Sequence, residues 1–219
     1  DGDIIVIGHK IISKSEGRIV RLSQIKPSIR ATRIARRTSK DPRLVQLVLD
    51  ESKRIIKAAR GILLVETKRG IVCLNAGIDK SNIEDHDAYC LLPRNPSRSA
   101  DRIARQVRIL TRKRVRVMVT DTYSRPFRTG QSEFAIGVSR LDPFVDYRGT
   151  KDLFGNILKF KRVSVADELA SAAELVMGQG AEGVPVAIIK GVARVRHSRR
   201  GSTHELIMPR KRDLFRGAL

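Results

Sequence analysis

Tryptophan is absent from this 219-residue sequence, aromatics make up only 4% of it, and cysteine occurs twice. So few flat side chains argue against a base-stacking platform for single-stranded nucleic acid. Cys73 and Cys90 cannot build a disulfide framework, so a reduced, cytoplasmic compartment is the expectation. No apolar run approaches the ~20 residues that span a bilayer, and Asp1-Gly2-Asp3 supplies no basic n-region for a signal peptide. A membrane partner is therefore not expected. Acidic side chains are also scarce, 23 Asp and Glu against 44 Lys and Arg, which leaves a formal charge of +21.

Thirty of the basic residues are Arg, the side chain suited to a bidentate grip on phosphate or carboxylate. They are dense at Arg30–Arg37, Arg102–Arg116 and Arg194–Arg216, yet spread along the chain, whereas a nucleic-acid protein concentrates them on one face. A solvated surface accounts for the charge as readily as an anionic substrate, an acidic partner or RNA. At 41% hydrophobic and 31% charged residues the chain reads as folded. Its length suits one domain over residues 1–219, or two small interleaved lobes.

Hydrophobic periodicity gives a mixed order of elements. Ile4 to Ile7 form a β-branched strand ending at Gly8. Asp41-Pro42 reads as N-cap and first residue of a helix through Leu44, Leu47, Val48, Glu51 and Ile55, stopped at Gly61. Ile62 to Glu66 and Ile71 to Leu74 make a hairpin around Lys68-Arg69-Gly70. Ser99 caps a helix to about Arg112, and Arg114 to Thr120 alternates as a strand with one wet face. Phe134 to Val138 and Ile157 to Val163 read as strands. Ser164 to Asp167 reads as a capping box before the helix ADELASAAELVM, which Gly178 ends, and Val184 to Lys190 reads as a buried strand. Hairpins mixed with strand–helix alternation predict an α+β fold with mixed sheets and flanking helices. In the basic carboxy-terminal stretch, Leu206, Ile207, Met208, Leu214 and Phe215 predict packing on the body or a partner subunit.

Three segments place polar residues and glycines where an apolar element has just ended, the position of ligand loops. In Asn75-Ala-Gly77-Ile-Asp79-Lys-Ser-Asn82, Asp79 and Asn82 leave one loop and can hold a divalent cation, or simply close an Asx turn. Thr120-Asp121-Thr122 offers an acid and a hydroxyl of the kind that ligate Mg²⁺ beside phosphates, or a turn. In Met177-Gly-Gln-Gly-Ala-Glu-Gly-Val184 the three glycines spell GxGxxG, but the run follows a helix and precedes a strand, which excludes the dinucleotide fingerprint. What remains is a flexible loop whose unblocked N–H groups can wrap phosphates. Lys14, among small polar residues, reads as a surface turn or a phosphate contact. Arg125 and Arg128 follow Asp121 closely and offer guanidinium groups for an anionic substrate.

Taken together, DGDIIVI…IISKSEGR, VCLNAGIDKSN, VTDTYSRPFR, FAIGVS, RGTKDLFG and VADELASAAELVMGQGAEGVP, in this order, resemble the gamma-glutamyl ligases of the deazaflavin coenzyme F-420. The resemblance implies a ligase that uses GTP and Mg²⁺ or Mn²⁺, with a monovalent cation such as K⁺ as a further ion. It joins L-glutamate to the carboxylate of the deazaflavin precursor and can extend a gamma-linked tail. It also implies intertwined homodimers of α+β subunits. Asp79 and Asp121 match the family's metal-binding, catalytic acids, and Thr122 a second metal position. His9, Lys10, Lys14, Asn82 and the loop Met177, Gly178, Gln179, Gly180, Ala181, Glu182, Gly183, Val184 match nucleotide contacts. Gln179 falls where some members place a metal-binding Glu, and the segment that precedes DGD in the family is missing here. A paralogue with another acid substrate or no activity, and a basic RNA-binding protein, are the competing readings.

Overall fold

The computed structural model describes residues 1–193, 195–198 and 203–213. From the amino terminus, β1 (Ile4–Gly8) runs into α1 (His9–Ser15), followed by β2 (Ile19–Arg21), α2 (Ile29–Thr38) and α3 (Pro42–Glu51). Then come β3 (Ser52–Ala59), β4 (Ile62–Thr67), β5 (Val72–Leu74) and β6 (Ala88–Cys90). After them follow α4 (Pro96–Thr111), β7 (Arg116–Ser124), β8 (Gln131–Ser139), β9 (Val145–Asp146), β10 (Arg162–Val163), α5 (Val165–Met177) and β11 (Val186–Ile189). This is a mixed α+β chain with several sheets and helices, as the sequence pattern implied. It divides into two compact units that alternate in sequence. The first holds Asp1–His9, Asn95–Thr122 and Gly130–Leu206; the second holds Lys10–Arg94, Tyr123–Thr129 and the described residues from Ile207.

The first unit is built on a four-stranded sheet of order β11-β1-β7-β8. β1 lies parallel to β7, with Ile4 beside Arg116 and Gly8 beside Thr120, and antiparallel to β11. Helix α5 starts well because Asp167 and Glu168 in its first turn complement the helix dipole. Its apolar stripe, Val165, Leu169, Ala173 and Met177, packs on Ile4, Val6, Met118, Ala135 and Val138. Each fully buried side chain of Leu or Met size contributes about 1.5–3 kcal/mol there. Helix α4 crosses β8 so closely that a Cβ on Gly137 would stand 2.4 Å from the carbonyl carbon of Pro96. Only glycine permits that approach. The second unit pairs an antiparallel sheet, β3-β4-β5, with α2 and α3 over a core of Ala31, Ile34, Val45, Leu47, Val48, Leu63, Val65 and Leu91. Helix α3 has the predicted start: Asp41 accepts the Arg43 N–H at 2.7 Å and Pro42 follows it.

Several local expectations give way to long-range pairing. Helix α3 ends at Glu51, and the residues to Ala59 form β3 instead of continuing the helix to Gly61. Irregularities at Ser52/Arg54 and Ile55/Lys57, opposite β4, break the strand's two-residue alternation, so its apolar positions imitate helical spacing. Helix α4 is capped by Asn95, which accepts the Arg98 N–H at 3.1 Å, while Ser99 is buried a turn later and donates to the Asn95 carbonyl. The strand RVRVMVT has no wet face over Val117–Thr120: all four residues are buried, Met118 in the core that α5 packs on. Of Ile157–Val163 only Arg162 and Val163 are strand, paired with β9. Ser164 closes no capping box: its hydroxyl donates to Asp167 at 2.7 Å, and that carboxylate accepts the Ala135 N–H instead. Strand β11 is not buried; it borders the sheet and leaves Ile188 58% exposed. Lys14 is on α1 rather than in a turn. At the carboxy-terminal end, Leu206 packs against the first core and Ile207 meets Gly70, whereas Met208 is exposed. Leu214, Phe215, Arg194, Arg199, Arg200 and Arg216 lie outside the described residues.

Candidate active site

The parallel pairing of β1 and β7 fixes one cluster in the first unit. Because Gly8 aligns with Thr120, the next residues, His9 and Asp121, stand side by side where β1 ends and β7 runs on. His9 Nε2 lies 3.2 Å from Asp121 Oδ1, with both side chains largely buried. Asp121 lies within β7 rather than in a turn after it, since that strand continues to Ser124. Beyond it, the Thr122 hydroxyl donates to Glu133 Oε2 at 2.7 Å and stands 3.1 Å from Gln179 Oε1, while Gln179 Nε2 donates to Glu133 at 3.2 Å. Burial pushes the Glu133 carboxyl above the usual carboxylate range, and hydrogen bonds from Thr120 and Thr122 only partly reverse this.

The glycine loop joins the same cluster. Gly178 ends α5 at φ +70°, and the Gly8 N–H reaches across to the Pro185 carbonyl at 3.0 Å, holding the loop beside the end of β1. Its backbone donors are not all open: the Glu182 carboxylate folds back, accepts the Gly180 N–H at 2.7 Å, and occupies the space a side chain at 178 would need. The loop follows α5 and precedes β11, as the sequence order required.

A second cluster forms inside the second unit. Lys10 and Lys14 lie one turn apart on α1, and both reach the loop after β5. Lys10 pairs with Asp79 and with the Ser81 hydroxyl; Lys14 Nζ donates to the Asn82 carbonyl at 3.0 Å. Asp79 also closes an Asx turn, accepting the N–H groups of Lys80 and Ser81 and the Ser81 hydroxyl. Partial burial raises its carboxyl, but Lys10 and Ser81 outweigh burial and hold it at about 2. The approach to this loop is strained, with Asn75, Ala76 and Gly77 all left-handed, and Asn75 Oδ1 is buried with no hydrogen-bond partner. Arg125 and Arg128 sit in the turn after β7; Arg128 is exposed, and Arg125 Nε is buried without a hydrogen-bond partner.

Thus His9, Asp121, Thr122 and Gln179 converge in one unit, and Lys10, Lys14, Asp79 and Asn82 in the other. Glu133 and Ser81 belong to these clusters but escape sequence reasoning. The available signal was an acid in the inward register of a strand, Glu133 with Ala135 and Gly137, which are all buried. Among the described residues no three His, Cys, Asp or Glu side chains gather around a point. Besides the His9 imidazole, the donors around Asp121 are carboxylate, hydroxyl and amide oxygens, a hard set that fits Mg²⁺ or Mn²⁺ better than zinc. Cys73 and Cys90 are buried and not joined in a disulfide. No helix among the described residues is long and apolar enough to cross a membrane.

Comparison with known proteins adds an independent line. The family model for F420-0:Gamma-glutamyl ligase matches residues 1–191. Coenzyme F420:L-glutamate ligase of Methanothermobacter thermautotrophicus is 48% identical over 217 residues, covering 99% of this chain and 86% of that protein. The enzyme of the same name from Methanocaldococcus jannaschii is 47% identical over 216 residues, covering 99% and 85%. That of Archaeoglobus fulgidus is 42% identical over 219 residues, covering 100% and 86%.

Proposed function

The chain belongs to the F420-0:gamma-glutamyl ligase family, and we propose that it is a GTP-dependent ligase joining L-glutamate to the carboxylate of the deazaflavin precursor F420-0. Gamma-linked extension of the tail by the same chemistry is part of this reading. Amide formation needs an activated carboxylate. A carboxylate oxygen of the precursor attacks the γ-phosphorus of GTP, the bond to the bridging oxygen breaks, and GDP leaves an acyl phosphate. The glutamate amine then attacks the acyl carbon, phosphate departs with the bonding electrons, and the amine proton passes to water or phosphate.

The residues' tasks are positioning and neutralisation of crowded negative charge. Asp79 and Asp121 serve as metal-binding acids, with Thr122 and Gln179 as uncharged oxygen donors. A bound Mg²⁺ or Mn²⁺ neutralises phosphate charge, and a monovalent ion such as K⁺ adds to it. His9, Lys10, Lys14, Asn82 and the loop Met177 to Val184 hold the nucleotide. Arg125 and Arg128 receive the substrate's phosphodiester or carboxylates, a role supported by the unpartnered Arg125 Nε. The observation that carries the reading is the convergence of Asp121, Thr122 and the glycine loop beside the carboxyl end of β1.

A homodimer in the cytoplasm completes the proposal. Leu153, Phe154 and Phe160 are each at least 90% exposed, an apolar loop that suits burial against a second copy. The test is product mass after incubation with GTP, L-glutamate, the precursor and Mg²⁺ or Mn²⁺. One added glutamate, with GDP and phosphate released, is expected. Product formed equally well without GTP would overturn the nucleotide role, and no product from this precursor would favour a paralogue with another acid.

A further inference from the structure

Glu133 has no part in the mechanism above, yet its surroundings are specific. It is 5% exposed, and a carboxylate so nearly dry persists only where its lone pairs are used. The Thr122 hydroxyl and the Gln179 amide N–H both donate to the same oxygen, Oε2. Each contact has a consequence on its far side. An amide donates at one end only, so anchoring Gln179 Nε2 on Glu133 turns Oε1 away from it. The Thr122 hydroxyl has two acceptors in reach, Glu133 Oε2 at 2.7 Å and Gln179 Oε1 at 3.1 Å, and its one proton points at only one of them at a time. When it serves the nearer Glu133, Thr122 Oγ1 and Gln179 Oε1 face each other without a proton between them, and a cation lying against both oxygens would relieve their repulsion. With metal–oxygen bonds of 2.0–2.1 Å, adjacent ligands of an octahedral ion stand about 2.9 Å apart, close to the observed spacing.

We infer that Glu133 is a positioning residue that aims the oxygens of Thr122 and Gln179 at a divalent cation and supplies, from behind, the negative charge that an amide at 179 lacks. This rests on the metal-dependent ligase reading. The test is direct binding of Mn²⁺ to the full chain without nucleotide, followed by the electron paramagnetic resonance signal of free Mn²⁺, with thermal melting as the folding control. Four proteins are compared: the parent, Asp121→Asn, Glu133→Gln, and the double variant Glu133→Gln with Gln179→Glu. Loss of a group that orients metal ligands costs about 10–100-fold in affinity, and that is expected for Glu133→Gln with unchanged melting. In the double variant the acid and amide trade places, so the pair is complementary again, and affinity should return to within about threefold of the parent. A residue that merely fills space would show no such rescue. Should Glu133→Gln fail to melt cooperatively, Glu133→Asp keeps the charge but withdraws the oxygen, and it should weaken Mn²⁺ binding by about tenfold. If Asp121→Asn weakens binding while the Glu133 variants match the parent, or if the double variant stays as weak as the single one, the positioning role is overturned and the metal reading stands. If Asp121→Asn also matches the parent, both fall.

Discussion

Replacing Asp79 by Asn tests how the second unit holds its acid. The carboxylate sits in an Asx turn with Lys10 and Ser81 against it. Burial alone would raise its pKa, but these donors take it from the ordinary 3.8 to about 2. At about 1.4 kcal/mol per pH unit, that depression sets a ceiling of about 2.5 kcal/mol on the stabilisation. The side chain is 44% exposed, so solvent screening brings the working figure to about 1 kcal/mol. The sign follows from which state binds the proton more weakly. The folded carboxyl is the stronger acid, so its stabilisation is complete above the unfolded value of 3.8 and fades as pH falls through about 2. Asp79→Asn should therefore lose about 1 kcal/mol in urea unfolding near neutral pH and almost nothing at about pH 2. Lys10→Met should lose a similar amount, and the double variant no more than about the larger single loss, because both remove one interaction. An Asn variant equally destabilised at both pH extremes would refute the argument, since the effect would then lie in turn geometry and not in charge.

Asp121→Asn should reduce GTP-dependent glutamate ligation by at least about tenfold without lowering the melting temperature, with partial recovery at higher Mn²⁺; parental turnover at low metal would make it a structural strand residue. Glu182→Gln should tighten GTP binding by about fivefold in calorimetric titration, because the carboxylate that occupies the Gly180 N–H no longer competes as an anion. Unchanged or weaker binding would place Glu182 among the nucleotide's own contacts. Gly137→Ala should cost about 2–3 kcal/mol or abolish folding, since its Cβ would meet the backbone of Pro96 and Ser97 at under 3 Å; a melting temperature like the parent's would mean that α4 can move away from β8.

Much of the fold was legible because it rests on local chemistry. The Ile4–Ile7 run, the Asp41-Pro42 start and the stop at Gly178 all depend on residues within a turn of one another. The failures share the opposite property. Nothing near Ile55 announces that β4 will pair with it and bulge its partner strand. Asn95 and Ser99 are equally good caps in isolation, and the choice between them follows from where α4 must begin so that Pro96 can rest on Gly137. Likewise, that all of Val117–Thr120 is buried depends on distant elements, among them the α5 residues packed in one core with Met118.

The same division runs through the site. Asp79, Asp121 and the glycine loop stand in distinctive polar runs, so their residue types can be read as candidate ligands before any coordinates exist. Glu133 cannot, because its meaning depends on partners 11 and 46 residues away in sequence. A lone acid within QSEFAIGVS is compatible with a solvated strand face. Its identity as a dry carboxylate emerges only once β8 lies beside β7 and the end of α5 delivers Gln179 to the same oxygen. The amide at 179, a loss of charge when it is considered alone, thus acquires an acid behind it. A charge missing from one position of a site is therefore evidence of lost function only after the oxygens around that position have been accounted for in three dimensions.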